Sequence, residues 1–509
     1  WDPDNGRYKL YTRYQKELAG DDIGAYLTFD TEEGEQVEVQ MGVSFVSMEN
    51  ARLNLDTEQQ GKNFGQVLEE ARRRWNDDLS RILVEGGTEE QKIVFYTALY
   101  HTLIHPNILQ DVNGEYPAME SDKILTTQGD RYTVFSLWDT YRNVHQLLTL
   151  VYPERQLQMV RSMLDMYREH GWLPKWELYG RETLTMEGDP SIPVIVDTWL
   201  KGLRDFDIEL AYEAMRKGAT LPGAENLLRP DNDDYVSLGY VPLREQYDNS
   251  VSHALEYYIA DNALSRIAAA LGKKEDARLF HERSLGYKHY YCKEYGTFRP
   301  ILPNGEFYAF FDPRQGENFE PNPGFHEGCA WNYTFYVPHD VKGLARLMGG
   351  KKPFVDKLQR VFDEGLYDPA NEPDIAYAHL FSYFKGEEWR TQKELHRLLQ
   401  KYFKNAPDGI PGNDDTGTMS AWAIFNMMGF YPDCPGEPAY TLSTPVFDKV
   451  TIKLDPKYWG RDQLVIETER PSAESLYIRE MELGGKKLSR YRITHEELVQ
   501  SGKLRFSLR

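Results

Sequence analysis

The stretch Pro411-Gly412-Asn413-Asp414-Asp415-Thr416-Gly417-Thr418-Met419-Ser420-Ala421-Trp422 sets two adjacent carboxylates between two glycines. An apolar pattern follows at once, at Met419, Trp422, Ala423, Phe425 and Met427. This spacing predicts a helix whose first turn carries the acids. The free amides and dipole of a helix start favour negative charge. Asp415 is therefore expected to stay ionised at neutral pH and to be able to act as a general base. The same position would also let Asp414 or Asp415 serve only as a helix cap.

A second acid stands in Phe325-His326-Glu327-Gly328-Cys329-Ala330-Trp331. Glu327 is expected to open a helix with Trp331 four residues on, on the same face. An aromatic wall desolvates a carboxyl group and raises its pKa, which suits a general acid. Glu327 could equally be a favourable charge in a first turn. Asn371 and Glu372, between Pro369 and Pro373, offer oxygen ligands of the kind a hard cation such as calcium requires, or a loop that caps the next helix. In Trp138-Asp139-Thr140-Tyr141-Arg142, the acid and the arginine three apart could pair on a surface. They could instead fork onto sugar hydroxyls with Trp138 as a stacking platform. The loop from Gly171 through Trp176 to Met186-Glu187-Gly188-Asp189 is aromatic, acidic and long, as binding loops are. Two carboxyls facing each other across a pocket, Glu327 and Asp415, would be the machinery of glycoside hydrolysis.

The elements that must position these residues are mostly helices. Apolar-periodic segments recur from Thr88, with Gln91 completing a capping box, to about residue 430. They lie near 88–104, 139–151, 153–169, 191–203, 206–217, 248–271, 273–290, 328–336, 339–349, 352–365, 372–385, 387–404 and 417–429. Tight turns at Gly272 and Gly349-Gly350 join some of them. Long loops at 105–137, 170–190, 218–247 and 291–327 join others. Helical hairpins with long loops suit a toroid with a cleft at one end. Before them, residues 8 to about 56 alternate like strands, at 25–29 and 37–45, and Phe64 to Ile82 has helical spacing. After Pro435 strands return, at 450–454, 463–468, 476–478 and 504–507. The expected domains are residues 1–60 as the end of a β-sandwich, 61–86 as a linker helix, 87–435 as the helical catalytic domain and 436–509 as a C-terminal β region.

Composition limits the partners. With 59 Lys+Arg against 80 Asp+Glu the chain carries a formal charge of -21, which argues against nucleic acid and against anionic membranes. No apolar run reaches membrane-spanning length. The 34 tyrosines and 10 tryptophans fit both a large aromatic core and a carbohydrate cleft. Three cysteines at 292, 329 and 434 form no zinc or disulfide pattern. The chain opens Trp1-Asp2-Pro3-Asp4 with neither Met nor signal segment, so a preceding piece is expected.

Taken together, these stretches resemble glycoside hydrolase family 92, the calcium-dependent exo-acting α-mannosidases. The matching blocks are Ser136–Arg142, Glu327-Gly328 to Trp331 running on to Val337-Pro338-His339-Asp340-Val341, Asn371-Glu372-Pro373, and Gly412–Asp415 through Trp422 to Gly429-Phe430-Tyr431-Pro432. The resemblance covers the chain from about residue 20. It implies a mainly α fold, an (α/α)6 toroid with β-sandwich strands at the N-terminus and a small β region at the C-terminus. It further implies an inverting mechanism with Glu327 as general acid and Asp415 as general base. Calcium would lie at Glu372, Asn371 and Asn413, and the mannose pocket would be lined by Trp138, Asp139, Arg142, Trp176 and Trp331. The implied substrate is a mannose-containing oligosaccharide or N-glycan, and the implied location is periplasmic or secreted, in a bacterium. The segment Gly365–Ala370 lacks the His-Glu pair of α-1,2-specific members, which points to another linkage such as α-1,3. The alternative is a relative in the same fold that binds mannose without catalysis or acts on a mannose phosphodiester.

Overall fold

The computed structural model describes residues 26–244, 249–316 and 322–509. Its contacts divide the chain into a short unit ending at Met41 and a large unit, Gly42–Arg509. The strands expected at 25–29 and 37–45 do not form among the described residues, and the earlier part of the 8–56 β segment lies outside them. A strand needs its backbone groups bonded across a ladder. Among the described residues no strand pairs with these segments, and Val37, Val39, Met41, Val43 and Phe45 stay exposed. From Met48 the same segment is helical, because Ser47 caps Met48–Gln59 by accepting the Asn50 N–H.

The helix Phe64–Leu79 starts at an Asn63/Gln66 capping box. It stops before the expected boundary at 86, and Ile82–Glu85 is a strand. Glu89–His101 then begins at the Thr88/Gln91 box, with Glu89 and Glu90 at its positive end. Pro153 opens Pro153–His170, and Gly171 closes it in left-handed backbone at φ 88°. Ser250–Ala270 is the longest helix and is buried on nearly every side, including Val251, Leu255, Tyr257, Tyr258 and Ile259. It packs against Lys274–Ser284 and Ser191–Leu200. Thr418–Met428 is buried along its whole length and packs against Glu89–His101 and Val144–Val151. Each fully buried Leu, Ile or Phe in such contacts is worth roughly 1.5–3 kcal/mol. Two expectations shift in detail. Residues 372–385 form two 3₁₀ segments, Glu372–Asp374 and Tyr377–Tyr383, and the loop 218–247 holds a short helix, Asn232–Leu238.

The C-terminal strands build a six-stranded sheet. Its order is Ile82–Glu85, Lys449–Lys453, Gln463–Glu469, Lys503–Leu508, Ile478–Leu483, Lys486–Leu488. Ile82 pairs with Ile452, and Val450 with Ile466. Only the Gln463–Glu469/Lys503–Leu508 pair is parallel. Alternate residues Leu464, Ile466, Leu504 and Phe506 are buried, the period of two that a half-covered sheet demands. A three-stranded sheet of Phe430–Tyr431, Ala439–Leu442 and Arg492–Thr494 follows the end of the Thr418–Met428 helix.

Candidate active site

Asp415 does not sit in the first turn of a helix. The helix starts at Thr418 with Gly417 as its cap, and Asp415 and Thr416 precede it in left-handed backbone at φ 47° and 53°. The two acids divide the labour that the sequence left open between them. Asp414 is the capping acid: its Oδ1 accepts the Ser420 N–H at 2.9 Å and its carbonyl the Met419 N–H at 3.2 Å. Asp415 is thereby left out of the cap, on a fixed turn, with its side chain hydrogen-bonded to Glu372.

Glu327 stands in the same kind of position. The expected helix begins only at Ala330, capped from Cys329, so Glu327 lies three residues ahead of it, also left-handed, at φ 48°. Non-glycine residues in this region cost on the order of 1 kcal/mol or more. Finding both candidate acids there marks two turns whose shape is imposed by their surroundings. The i, i+4 relation to Trp331 fails with the helix start. The Trp331 ring is covered by Lys357 Nζ at 4.0 Å and Arg360 at 5.1 Å from its centre, so it is neither a wall for Glu327 nor a sugar platform.

The other motif residues converge on these two acids. Asp139 feels the charges of Asp415 and Glu327, and Glu372 those of Asp139 and Asp415. Asp139 is buried in the short helix Leu137–Thr140 and accepts a hydrogen bond from the Ser136 hydroxyl. Burial, followed by Asp415 and Glu327 as like charges, holds its carboxyl up at about 7 against the pull of Ser136 and Arg142. Burial likewise raises Glu327, with His326 opposing and Asp415 adding to the rise. It raises Asp415 too, and a hydrogen bond from Glu372 is what opposes it, not helix amides. Of these acids, Asp139 and Glu372 are closed off, while Glu327, at 30% side-chain exposure, and the half-buried Asp415 keep an opening to solvent.

Two expected sugar contacts are corrected. Arg142 is buried, with Nη2 on Glu256 Oε1 at 3.1 Å, Nη1 on the Tyr336 hydroxyl and Nε on the Trp138 carbonyl. Its fork is occupied by protein, so it shapes the floor of the site. Trp138 is fully buried, with Arg142 over its ring at 4.8 Å and the edge of His326 at 5.8 Å, which leaves no face for stacking. Trp176 is half-buried in the strand Trp176–Leu178, opposite Ser136. The indole N–H groups of Trp138 and Trp176 are both buried without a hydrogen-bond partner.

A hard cation fits at Glu372. Its Oε1 is buried with no hydrogen-bond partner, and the neighbouring acids repel one another. Among the described residues no three His, Cys, Asp or Glu side chains form a ready cage, so amide or carbonyl oxygens would have to contribute. Asn371 already uses its amide: Oδ1 accepts the Glu372 N–H at 2.9 Å and Nδ2 donates to the Glu327 carbonyl at 2.6 Å. A second lone pair on Oδ1 remains. Asn413 is exposed on the turn that carries Asp415.

Residues 50–509 match the sequence model of the Glycosyl hydrolase family 92 catalytic domain. The chain belongs to glycoside hydrolase family 92. The fold matches the family GH92 alpha-mannosidase BT3965 from Bacteroides thetaiotaomicron with a TM-score of 0.84 at 32% identity, over 91% of this chain and 61% of that one. It matches the family GH92 inverting mannosidase BT2199 of the same organism with a TM-score of 0.83 at 32% identity, over 91% and 65%. An uncharacterized secreted glycosidase of Arthroderma benhamiae is 27% identical, over 95% of this chain and 62% of its own length. The family 92 chain described here thus spans less than two thirds of these relatives.

Sequence reasoning missed the family 92 chain's second layer of polar residues. Glu187, Asn249, His253 and Glu256 come from the 170–190 loop and the start of the Ser250–Ala270 helix, and they surround His326 and Arg142. The only signal for Glu187 was its place in a long acidic loop.

Proposed function

We propose that this chain is the catalytic part of an exo-acting, inverting α-mannosidase that removes terminal α-linked mannose from glycans with the help of calcium. The observation that carries the reading is the convergence of Glu327 and Asp415, each on a left-handed turn and each partly open, around the closed acids Asp139 and Glu372. The inferred arrangement of the helices is an (α/α)6 toroid, for which the packing of successive helices is the support.

In this reading Glu327 is the general acid. Burial keeps its proton on at a pH where a free glutamic acid would have lost it, and it passes that proton to the glycosidic oxygen as the bond to the anomeric carbon breaks. Asp415 takes a proton from a water that attacks the opposite face. The product is β-mannose, with one proton given and one received. Inversion needs space for the water, roughly 6.5–9.5 Å between the two carboxyls. Glu372, with Asn371 and Asn413, would hold calcium. Held there, calcium would supply a Lewis acid to the hydroxyls of the bound sugar. Asp139, held by the Ser136 hydroxyl, closes the pocket floor. The shortened segment before Asn371 supports a linkage other than α-1,2.

No helix among the described residues is long and apolar enough to cross a membrane. A fungal relative described as secreted supports an exported protein. The deciding experiment is hydrolysis of 4-nitrophenyl α-mannoside with and without a chelator, with NMR of the first product formed. β-Mannose, lost on chelation and restored by calcium, is expected. Release of α-mannose, or full activity after metal removal, would overturn the reading.

A further inference from the structure

Glu187 is buried between two histidines, with 3% of its side chain exposed. Its Oε2 pairs with His253 Nε2, and His253 Nδ1 lies 2.6 Å from Asp231 Oδ2. Its Oε1 accepts Asn249 Nδ2 at 2.8 Å and stands 3.1 Å from His326 Nδ1. Backbone geometry holds it there. Met186 and Gly188, on either side, have φ 67° and 81°, and a Cβ on Gly188 would stand 2.6 Å from Glu256 Cβ. The loop is therefore pressed against the residue that holds Arg142.

His326 is fixed as firmly. Its N–H donates to Ser252 Oγ at 2.9 Å, its carbonyl accepts the Tyr333 hydroxyl at 2.5 Å, and its ring meets the buried Trp138. Asn249 Nδ2 carries two hydrogens. One serves Glu187, and the other reaches His326 Nδ1 at 3.0 Å. A ring nitrogen that accepts a hydrogen bond carries no proton, so the neutral imidazole keeps its proton on Nε2. Were the ring charged, Glu187 would take the Nδ1 proton and Nε2 would still bear one. In either state Nε2 bears the proton: Met186 Sδ accepts it at 3.1 Å and Glu327 Oε1 stands next, at 3.7 Å; once Glu327 is ionised, its carboxylate is a far stronger acceptor than the thioether.

We propose that Glu187 and Asn249 are positioning residues for the acid step: together they hold His326 with Nε2–H toward Glu327, so that the carboxylate left after proton donation is met by a donor. This rests on the reading of Glu327 as the general acid. The role is felt only where acid help matters, that is, with a poor leaving group.

The test compares kcat and KM on 2,4-dinitrophenyl α-mannoside and on methyl α-mannoside. Glu187→Gln is expected to lower kcat on the methyl glycoside at least about tenfold more than on the dinitrophenyl one. KM should be nearly unchanged, and Glu187→Asp should recover part of the loss. Equal losses on the two substrates, or none, would overturn the positioning role. If thermal unfolding shows that Glu187→Gln does not fold, Asn249→Ser carries the same comparison with the same two outcomes. A wild-type enzyme inactive on both glycosides sinks the mannosidase reading itself. A wild type active on both, with variants that keep its substrate ratio, sinks only this inference.

Discussion

The buried carboxyl of Glu372 shares a hydrogen bond with Asp415, and the bond works in opposite directions on the two groups. Glu372 is pushed well up, by burial first and then by Asp139 and Asp415, and the bond adds to that rise. Asp415 is raised by burial, and the bond from Glu372 works against that rise. The base candidate thus owes what favours its ionised form to the same carboxyl that is proposed to hold calcium.

Glu372→Gln separates the two roles of this residue. Glutamine still donates to Asp415 but brings no charge to a cation. We expect kcat/KM on 4-nitrophenyl α-mannoside to fall by about 10²-fold, and the remaining activity to be insensitive to chelator. A calcium titration of wild type and variant checks this, and a variant that calcium restores to full rate would contradict it.

Glu327→Gln should cost about 10²–10⁴-fold on an α-linked mannobiose and far less on 2,4-dinitrophenyl α-mannoside, whose leaving group needs no proton. Steady-state rates on the two substrates read this directly. Equal losses would remove Glu327 from the acid role.

Gly417→Ala tests the turn. Gly417 has φ 92°, and a Cβ there would meet Thr102 Cα at 3.0 Å. Strain of roughly 1–3 kcal/mol is expected, seen as a lower Tm. Because the neighbouring Asp415 must shift with the turn, kcat should fall by more than a stability loss alone explains.

Two buried histidines should make stability fall as the pH drops below about 6.5. Burial holds His145 and His339 down at about 4 in the folded chain, with Gln156 opposing for the first and the Ser284 carbonyl for the second. The unfolded chain protonates its histidines near 6.5. Between those values the unfolded state binds more protons, so stability is complete above about pH 6.5 and is lost as pH falls toward 4. Each group contributes at most about 3 kcal/mol. Urea unfolding at pH 7.5, 6 and 5 measures the slope, and His145→Phe should flatten it.

What could be read from the sequence was local. The Thr88/Gln91 box, the turns at Gly272 and Gly349-Gly350 and the apolar spacing of the helices act within a turn or two, and the helices stand close to where these signals put them. The motif acids lie within reach of one another's charge, but Glu327 and Asp415 stand on turns ahead of the helices and not in the first turns that the spacing suggested. The errors came where distant groups decide. Cys329 and Gly417 start their helices late because the chain must first turn through left-handed residues, which no periodicity announces. Arg142 looked free beside Asp139 because its real partner, Glu256, is 114 positions away. Trp331 looked like a wall for Glu327 until Lys357 and Arg360 covered it.

The pairing of Ile82–Glu85 with Lys449–Lys453 has a practical side. The sheet after Pro435 is laced to a ribbon that lies ahead of the first helix of the catalytic body, so it is no detachable appendage. Trimming the chain at that proline would strip Ile82 and Val84 of their cross-ladder neighbours and bare an adhesive border beside the Glu89–His101 helix. A protease nick in the late strands should therefore abolish the proposed activity from afar.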